Sequence, residues 1–495
     1  MAAPLVIPNP YTRYTAGDRL ELLGGLNNAL SDEFIEPNEL SSVSNYGPDP
    51  ENAGVLTKRE GITRVSTQQA EAFTSIHDGI HDIWATTTTK VINDGGTDQS
   101  LSLTSTADPD WTTFRPQNMD IVCNGSEIKD YTGSWAALGG SPPTFKYIES
   151  YQNFIFGSGH SRGIIRWSAL GNAESWPATN AWELPGLARG VIHHGDSIWF
   201  FTDLGWHQLR GTDEQGISIT FEGTPGTTSH RSLVSTPFGL FYWSDEGIMW
   251  TQTGSVVENL SRLRIPKTFD SLNHAQFATV HGVYNMARQR VEFYAHKAGS
   301  STQDIRIDYY PRIGVRDIQG VSVGSFWINE EAGVDMAASG HVLVSGVPKV
   351  YVGSAATSGY LYDQTGETDD GTVITAHLET DRGSTEHGSE AIKRNKMLVP
   401  GFLLNGNSTI KFSVYQDNET NTTDSWNISL QGSTGFLLDT SSLDVDTLAT
   451  DVFAPTEARI PWKEKFRKLK FRIEDSAAVR TKISRILNRG HIVST

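Results

Sequence analysis

One cysteine, Cys123, stands in a chain of 495 residues. That excludes an internal disulfide and any zinc or iron–sulfur site built on several thiolates. Positive charge is also in short supply: 40 Lys and Arg against 57 Asp and Glu give a formal net charge of −17. A field of that sign repels phosphate, which disfavours a nucleic-acid clamp or a binder of anionic membranes. No apolar run reaches the roughly 18 residues that a membrane-spanning helix needs. The first 25 residues hold no apolar core of the kind a signal peptide carries, so none is expected. Apolar stripes of period 3.6 are nearly missing too; residues 36–45 and 265–274 are the best helix candidates.

What the chain does have is aromatics and glycine: 13 Trp, 15 Tyr, 21 Phe and 47 Gly. They fall in short runs such as Ile198-Trp199-Phe200-Phe201 and Leu240-Phe241-Tyr242-Trp243, separated by Gly, Asp, Asn, Ser and Thr. β-branched and aromatic side chains pack on pleated surfaces and the small polar residues turn the chain, so the pattern predicts an all-β protein. Phe200-Phe201-Thr202-Asp203-Leu204-Gly205 aligns with Tyr242-Trp243-Ser244-Asp245-Glu246-Gly247, about 42 positions on. A repeat near that length with about four strands is the period of a β-propeller blade. The expected organisation is a loop-rich N-terminal arm over 1–70, a propeller of five to seven blades over 71–374, and a β-sandwich-like platform over 375–495. In the last region the blade period gives way to alternating strands around 373–380, 395–404, 409–416, 425–430 and 466–473. Chain ends tend to meet at the surface, so the arm is expected to pack on the platform.

Chemistry-bearing patterns are few. His77 and His81 are four apart, the spacing that presents two imidazoles to one metal on a helix, but Gly79 and the β pattern argue against a helix there. His193 and His194 are adjacent, and neighbours on a strand face opposite ways. The glycine-rich stretch 157–163 lacks a P-loop lysine and reads as a hairpin loop. The turn at 244–250 is one residue short of the Asp-box of sialidase-type propellers. Aspartates at 363–370 and 439–451 match no EF-hand and read as solvated turns. No acid/base pair declares itself, so the expectation is a chain that is not an enzyme, with no cofactor and no metal.

Charge is uneven. From Arg459 onward 11 basic residues face only Glu464, Glu474 and Asp475. Lys463, Lys465, Arg467, Lys468, Lys470 and Arg472 are the candidate docking residues for an acidic partner; a solvated strand face is the alternative. Trp135, Trp176 and Trp182 are candidate anchors for accessory proteins, or else blade-core residues.

Two stretches resemble segments of bacteriophage virion proteins. Leu23-Gly24-Gly25-Leu26-Asn27-Asn28-Ala29, then Asn45, then Gly54-Val55-Leu56-Thr57-Lys58-Arg59-Glu60-Gly61, is similar to a Gly-Gly-Leu-Asn … Asn … Gly-x-Leu-x-x-Arg-x-Gly opening. Arg166-Trp167-Ser168-Ala169-Leu170-Gly171-Asn172-Ala173-Glu174-Ser175-Trp176 resembles a segment of phage tail propellers, with Ala173 where proline is usual. The family resembled is the tail nozzle, or tail hub, of short-tailed phages. The resemblance implies a structural virion protein of the tail, assembled in the host cytoplasm, with no catalytic residues. It further implies a homo-hexameric ring below the portal and adaptor (head-to-tail connector), bearing tail fibres or tailspikes. Viral DNA would pass through without specific binding, and no membrane insertion is implied. The competing readings are a carbohydrate-binding or glycosidase-type propeller and another phage tail or head-completion component.

Overall fold

The computed structural model describes residues 13–16, 22–31, 34–36, 38–104, 109–211, 217–254, 256–314, 324–331, 333–381, 392–404, 407–417, 419, 422–430 and 454–494. It is an all-β protein of two compact units: a β-propeller of residues 62–309 and 333–370, and a sandwich-like platform of residues 1–61, 310–332 and 371–495. No described helix is long and apolar enough to cross a membrane.

The propeller is built from seven successive antiparallel meanders. The first is Phe73–Asp78, Ile83–Thr87, Lys90–Asn93 and Asp98–Ser102. The second to fifth begin at Asp110–Phe114, Tyr147–Tyr151, Ala188–His194 and Val234–Thr236. The sixth contributes His281–Asn285, Arg290–Ala295 and all but the last residue of Ile305–Tyr310 to this unit. The seventh, Met336–Val344, Val347–Ser354 and Leu361–Asp363, is completed by Thr63–Arg64 from the start of the unit. The first strand of this last blade lies against the first strand of the first, so the ring is closed. Propeller strands therefore begin at Thr63, ahead of the expected residue 71, because a ring needs its last sheet to be shared between both ends of the chain.

Second strands of the first six blades are buried along their length, as in Ser197–Thr202 and Gly239–Ser244, the two strands of the sequence repeat. Aromatic rings fill the space between blades: Phe201 lies 5.0 Å from Tyr242, and Trp243 lies 5.7 Å from Phe293. Burying such rings contributes about 1.5–3 kcal/mol each relative to exposure, which lets the unit stand without disulfides.

The platform has two sheets. Arg13–Ala16, Tyr46–Pro48 and Leu56–Lys58 join the long strands Ile392–Leu404 and Thr481–Ser494 in the larger one. Gly25–Leu26 and Glu39–Ser44 join Ala376–Thr380, Leu469–Asp475, Ser408–Gln416 and Asp424–Leu430 in the smaller. Leu469, Phe471 and Ile473 alternate inward while Lys470, Arg472 and Glu474 alternate outward, the period-2 pattern of a half-buried sheet.

The helix expected at 36–45 is a strand, Glu39–Ser44. Its register shifts between Leu40 and Ser42, a bulge that breaks the alternation and mimics a helical spacing of Leu40 and Val43. The helix expected at 265–274 is shorter, Pro266–Asp270, and follows Leu260–Arg264, which is capped by the Asn259 side chain accepting from the Arg262 amide.

Candidate functional site at the propeller axis

First strands of a propeller run side by side around its axis, so their polar residues converge there. The chain between the fourth and fifth blades sends a single turn of 3₁₀ helix, His230–Ser232, into that space. Ser229 Oγ donates to Val280 O at 2.6 Å. His230 Nε2 lies 2.8 Å from Asp110 Oδ1, and its ring packs on Tyr147 with centroids 4.8 Å apart. Arg231 Nη1 donates to Thr74 O and Ala337 O at 2.7 and 2.9 Å, and its Nη2 donates to Thr279 O at 3.2 Å. One turn thus touches the first, second, third and seventh blades and the segment entering the sixth. Close approach requires Gly190: a Cβ there would lie 2.9 Å from His230 Nδ1.

Beside this strut lies a cavity of about 210 Å³ whose polar wall includes His77, Asp110, Glu149, His281 and Ser339. Asp110 Oδ2 accepts from the Ile148 amide at 2.7 Å. Glu149 accepts from the Ser150 and His193 amides at 3.0 and 3.4 Å. Burial, then the neighbouring Asp110 charge, pushes the Glu149 carboxyl up to about 7. His281 is the opposite case: burial, then Arg231, pushes it down to about 3. It is held neutral, its Nε2 donating to Met336 O at 2.9 Å and its Nδ1 accepting from Ser339 Oγ at 2.7 Å.

These shifts give opposed pH trends. Glu149 binds its proton more tightly folded than unfolded, so its stability penalty is absent below about 4.5, grows between there and about 7, and is constant above. His281 contributes stability above about 6.5 that is lost as pH falls toward about 3. Glu149→Gln is therefore expected to leave the melting temperature near that of the native chain at pH 5 and to raise it at pH 8. The upper bound on the gain is about 3 kcal/mol. An equal difference at both pH values would contradict the assignment.

The sequence-picked residues are dispersed. His77 Nε2 meets Thr113 Oγ1 at 2.9 Å and its ring stacks on Trp111, whereas His81 Nδ1 lies 3.2 Å from Asp120, so the two rings face different partners and are linked only through the Thr113–Asp120 hydrogen bond. Asp120 is a structural hub: burial pushes its carboxyl up, but hydrogen bonds from Trp84, the Ile80 and His81 amides and Thr113 outweigh it and hold it low. His193 and His194 have separate partners, Gly195 O and Ser235 Oγ. Trp135, Trp176 and Trp182 pack against blade cores, beside Trp84, Phe145 and Trp167, so none stands out as a free anchor. Asp363 pairs with Lys349 and Asp370 with Arg64; the aspartates at 439–451 lie outside the described residues.

Of the candidate docking residues, Lys470 and Arg472 are occupied within their own sheet: both bind Glu379, at 2.6 and 3.0 Å, and Arg472 also binds Glu474 at 2.8 Å. Lys468 is half-buried; Lys463, Lys465 and Arg467 are exposed. Farther along, Arg480 pairs with Glu60 and the buried Lys482 with Asp49. Apart from Glu474, the carboxylates that balance this segment come from distant parts of the chain, Glu379 in another strand and Glu60 and Asp49 near its start, which local charge counting misses. The axial strut was also missed; its one sequence signal is the His-Arg pair at 230–231 in a Ser/Thr-rich turn.

The fold and its plugged axis define an all-β propeller chain with a β-sandwich platform. No protein-family model matches the sequence, and no curated protein matches it. Among solved structures it is similar to the WD40 domain of Neurospora crassa Pan2, with 8% identity, a TM-score of 0.41, and 62% of this chain and 96% of that one covered. It is also similar to BamB from Moraxella catarrhalis, with 11% identity, a TM-score of 0.35, and coverages of 65% and 96%. An ancestral GH74 enzyme matches with 9% identity, a TM-score of 0.37, and coverages of 74% and 51%. The propeller assignment itself rests on the strand order and ring closure described above.

Proposed function

We propose that this chain is a structural subunit of a phage tail nozzle: a ring of copies that receives an adaptor ring, carries fibres and conducts DNA. The observation that supports it most is where the resemblance-bearing residues lie. Asn45, in a left-handed conformation with φ 59°, accepts on Oδ1 from Arg59 Nε and the Glu330 amide, both at 2.8 Å. Its Nδ2 donates to Thr375 O at 2.7 Å, and Arg59 Nη2 donates to Glu330 O at 2.6 Å. Asn27 donates to the buried Glu39 at 2.7 Å. Gly25 has φ 72°, and a Cβ there would come within 2.7 Å of Phe326 O. Asn45 and Arg59, far apart in the motif, thus meet in one hydrogen-bonded joint of the platform, while Asn27 and Gly25 brace it elsewhere, a framework role rather than a catalytic one. In the second motif, the Ser168 hydroxyl accepts from the Ile155 amide, and the Ala173 amide donates to Gln117 of the second blade.

The strut also bears on the path of DNA. The propeller axis is crossed by His230 and Arg231, so a conduit would run between copies and not through a propeller. A wall of subunits at −17 each repels phosphate, and without counterion-releasing contacts DNA slides instead of sticking. Electron microscopy of particles carrying an affinity label on this chain is expected to place it in a ring next to the adaptor. A label at the tip of a slender fibre would overturn the reading.

A further inference from the structure

The outward face of the smaller platform sheet carries a groove. One row of residues crosses five strands there: Ser44, His377, Glu474, Lys411 and Asn427 are register partners in turn. Directly opposed residues share a face of the sheet. This row is the floor of a groove of about 570 Å³. That volume falls within the roughly 300–1,000 Å³ of small-molecule sites.

The lining is held in place from behind. Glu330 is part of it, with its amide donating to Asn45 Oδ1 at 2.8 Å and its carbonyl accepting from Arg59 Nη2 at 2.6 Å. Thr375 is another part, its carbonyl accepting from Asn45 Nδ2 at 2.7 Å. The Asn45–Arg59 joint thus fixes two backbone segments of the groove, which lowers the ordering cost of binding.

Charges in the groove are matched among themselves. Lys411 Nζ lies 2.8 Å from Glu474 Oε2, and Arg472, two residues back along the strand, lies 2.8 Å from Glu474 Oε1. Asp475 faces the buried Lys58 at 3.7 Å. Burial, then Arg472, holds the His377 imidazole below its usual range, and its Nε2 meets Ser42 Oγ at 3.1 Å. No surplus charge is left to select an ion. Among the described residues no Phe, Tyr, Trp, Leu, Ile or Val lines the groove, so an apolar ligand has little to bury against. What the groove offers is hydrogen bonding in both directions. Thr409 and Asn427 are exposed, and a hydroxyl and an amide each donate and accept. The Lys411–Glu474 pair sets donors beside acceptors, which suits two neighbouring hydroxyl groups.

We propose that this groove binds a neutral saccharide, with Lys411, Glu474 and Asn427 bonding its hydroxyls from the floor and Glu330 from the wall. The site goes beyond the nozzle reading and does not depend on it.

The test applies the labelled full chain to an array of neutral hexose and N-acetylhexosamine oligosaccharides printed beside sialylated and sulfated ones. Binding to neutral members is expected, changing by less than about 2-fold between roughly 50 and 300 mM salt. Lys411→Ala, and separately Asn427→Ala on the exposed edge strand, are expected to weaken it at least about 10-fold at unchanged melting temperature. Binding to no neutral member would overturn the proposal. Preference for the acidic members, or a steep loss with salt, would overturn the ligand class. Undiminished binding by both variants would place the sugar elsewhere and overturn the site. Each of these leaves the nozzle reading to its own test by microscopy.

Discussion

Glu292→Ala is expected to remove about 3–5 kcal/mol from the unfolding free energy of the propeller, the usual cost of orphaning one side of a buried ion-pair network. Glu292 is buried with Arg290, Arg306 and Asp308 around it. Its Oε1 lies 2.8 Å from Arg290 Nε, Arg290 Nη1 lies 3.1 Å from Asp308, and Arg306 Nε lies 2.9 Å from the same carboxylate. Gln364 of the seventh blade, Asn285 and Tyr294 donate the remaining hydrogen bonds to Glu292. Burial pushes the carboxyl up, but Arg290 and Arg306 outweigh it and hold it well below the usual range. Alanine leaves two guanidinium groups sharing one carboxylate in a dry site. Ten of the 13 tryptophans lie in the propeller unit, so denaturant titration followed by tryptophan fluorescence reads that unit. A loss below about 1 kcal/mol would mean that the network is solvated and worth no more than a surface pair.

A chain that starts at residue 71 is expected to fail more completely, losing cooperative folding of the platform and ring closure of the propeller together. The missing segment supplies strands to both platform sheets and buries Leu40, Val43, Tyr46 and Leu56. It also removes Thr63–Arg64 from the last blade, along with the 2.7 Å Arg64–Asp370 pair. Large core side chains cost about 2–5 kcal/mol each when deleted, so four of them, about 8–20 kcal/mol, are comparable to a typical total stability of about 5–15 kcal/mol. The expected readout is binding of a hydrophobic dye and loss of the near-ultraviolet signal from Trp426 and Trp462. The fragment 1–70 alone is expected to show no cooperative melt. A native-like, cooperative transition from either piece would contradict the shared-strand architecture.

Much of the fold can be read from the chain. The Phe200 and Tyr242 segments are equivalent second strands of the fourth and fifth blades, and the late strands at 376–380, 408–416 and 424–430 lie close to where alternation places them. Local patterns report these features because each strand carries its own period. Long-range facts are not written locally. Nothing near Arg472 announces Glu379, and nothing near Lys482 announces Asp49. The bulge at Leu40–Ser42 turned a strand signal into a helical one. Residues 310–332 group with the platform although they interrupt the propeller sequence, a partition that composition does not mark. The axis was hidden for the same reason: His77, Asp110, Glu149, His230 and His281 come from five different blades or their connections, and only ring closure brings them together.

The chain passes between its two units four times, at residues 61–62, 309–310, 332–333 and 370–371. During synthesis the first platform strands therefore emerge long before their partners at 376–380, 392–404 and 469–494, and wait while the whole ring forms. Only a full-length chain can finish the platform. Splitting one domain across segments on either side of the propeller acts as a completeness check: a product that stops before residue 469 presents a propeller with unpaired platform strands.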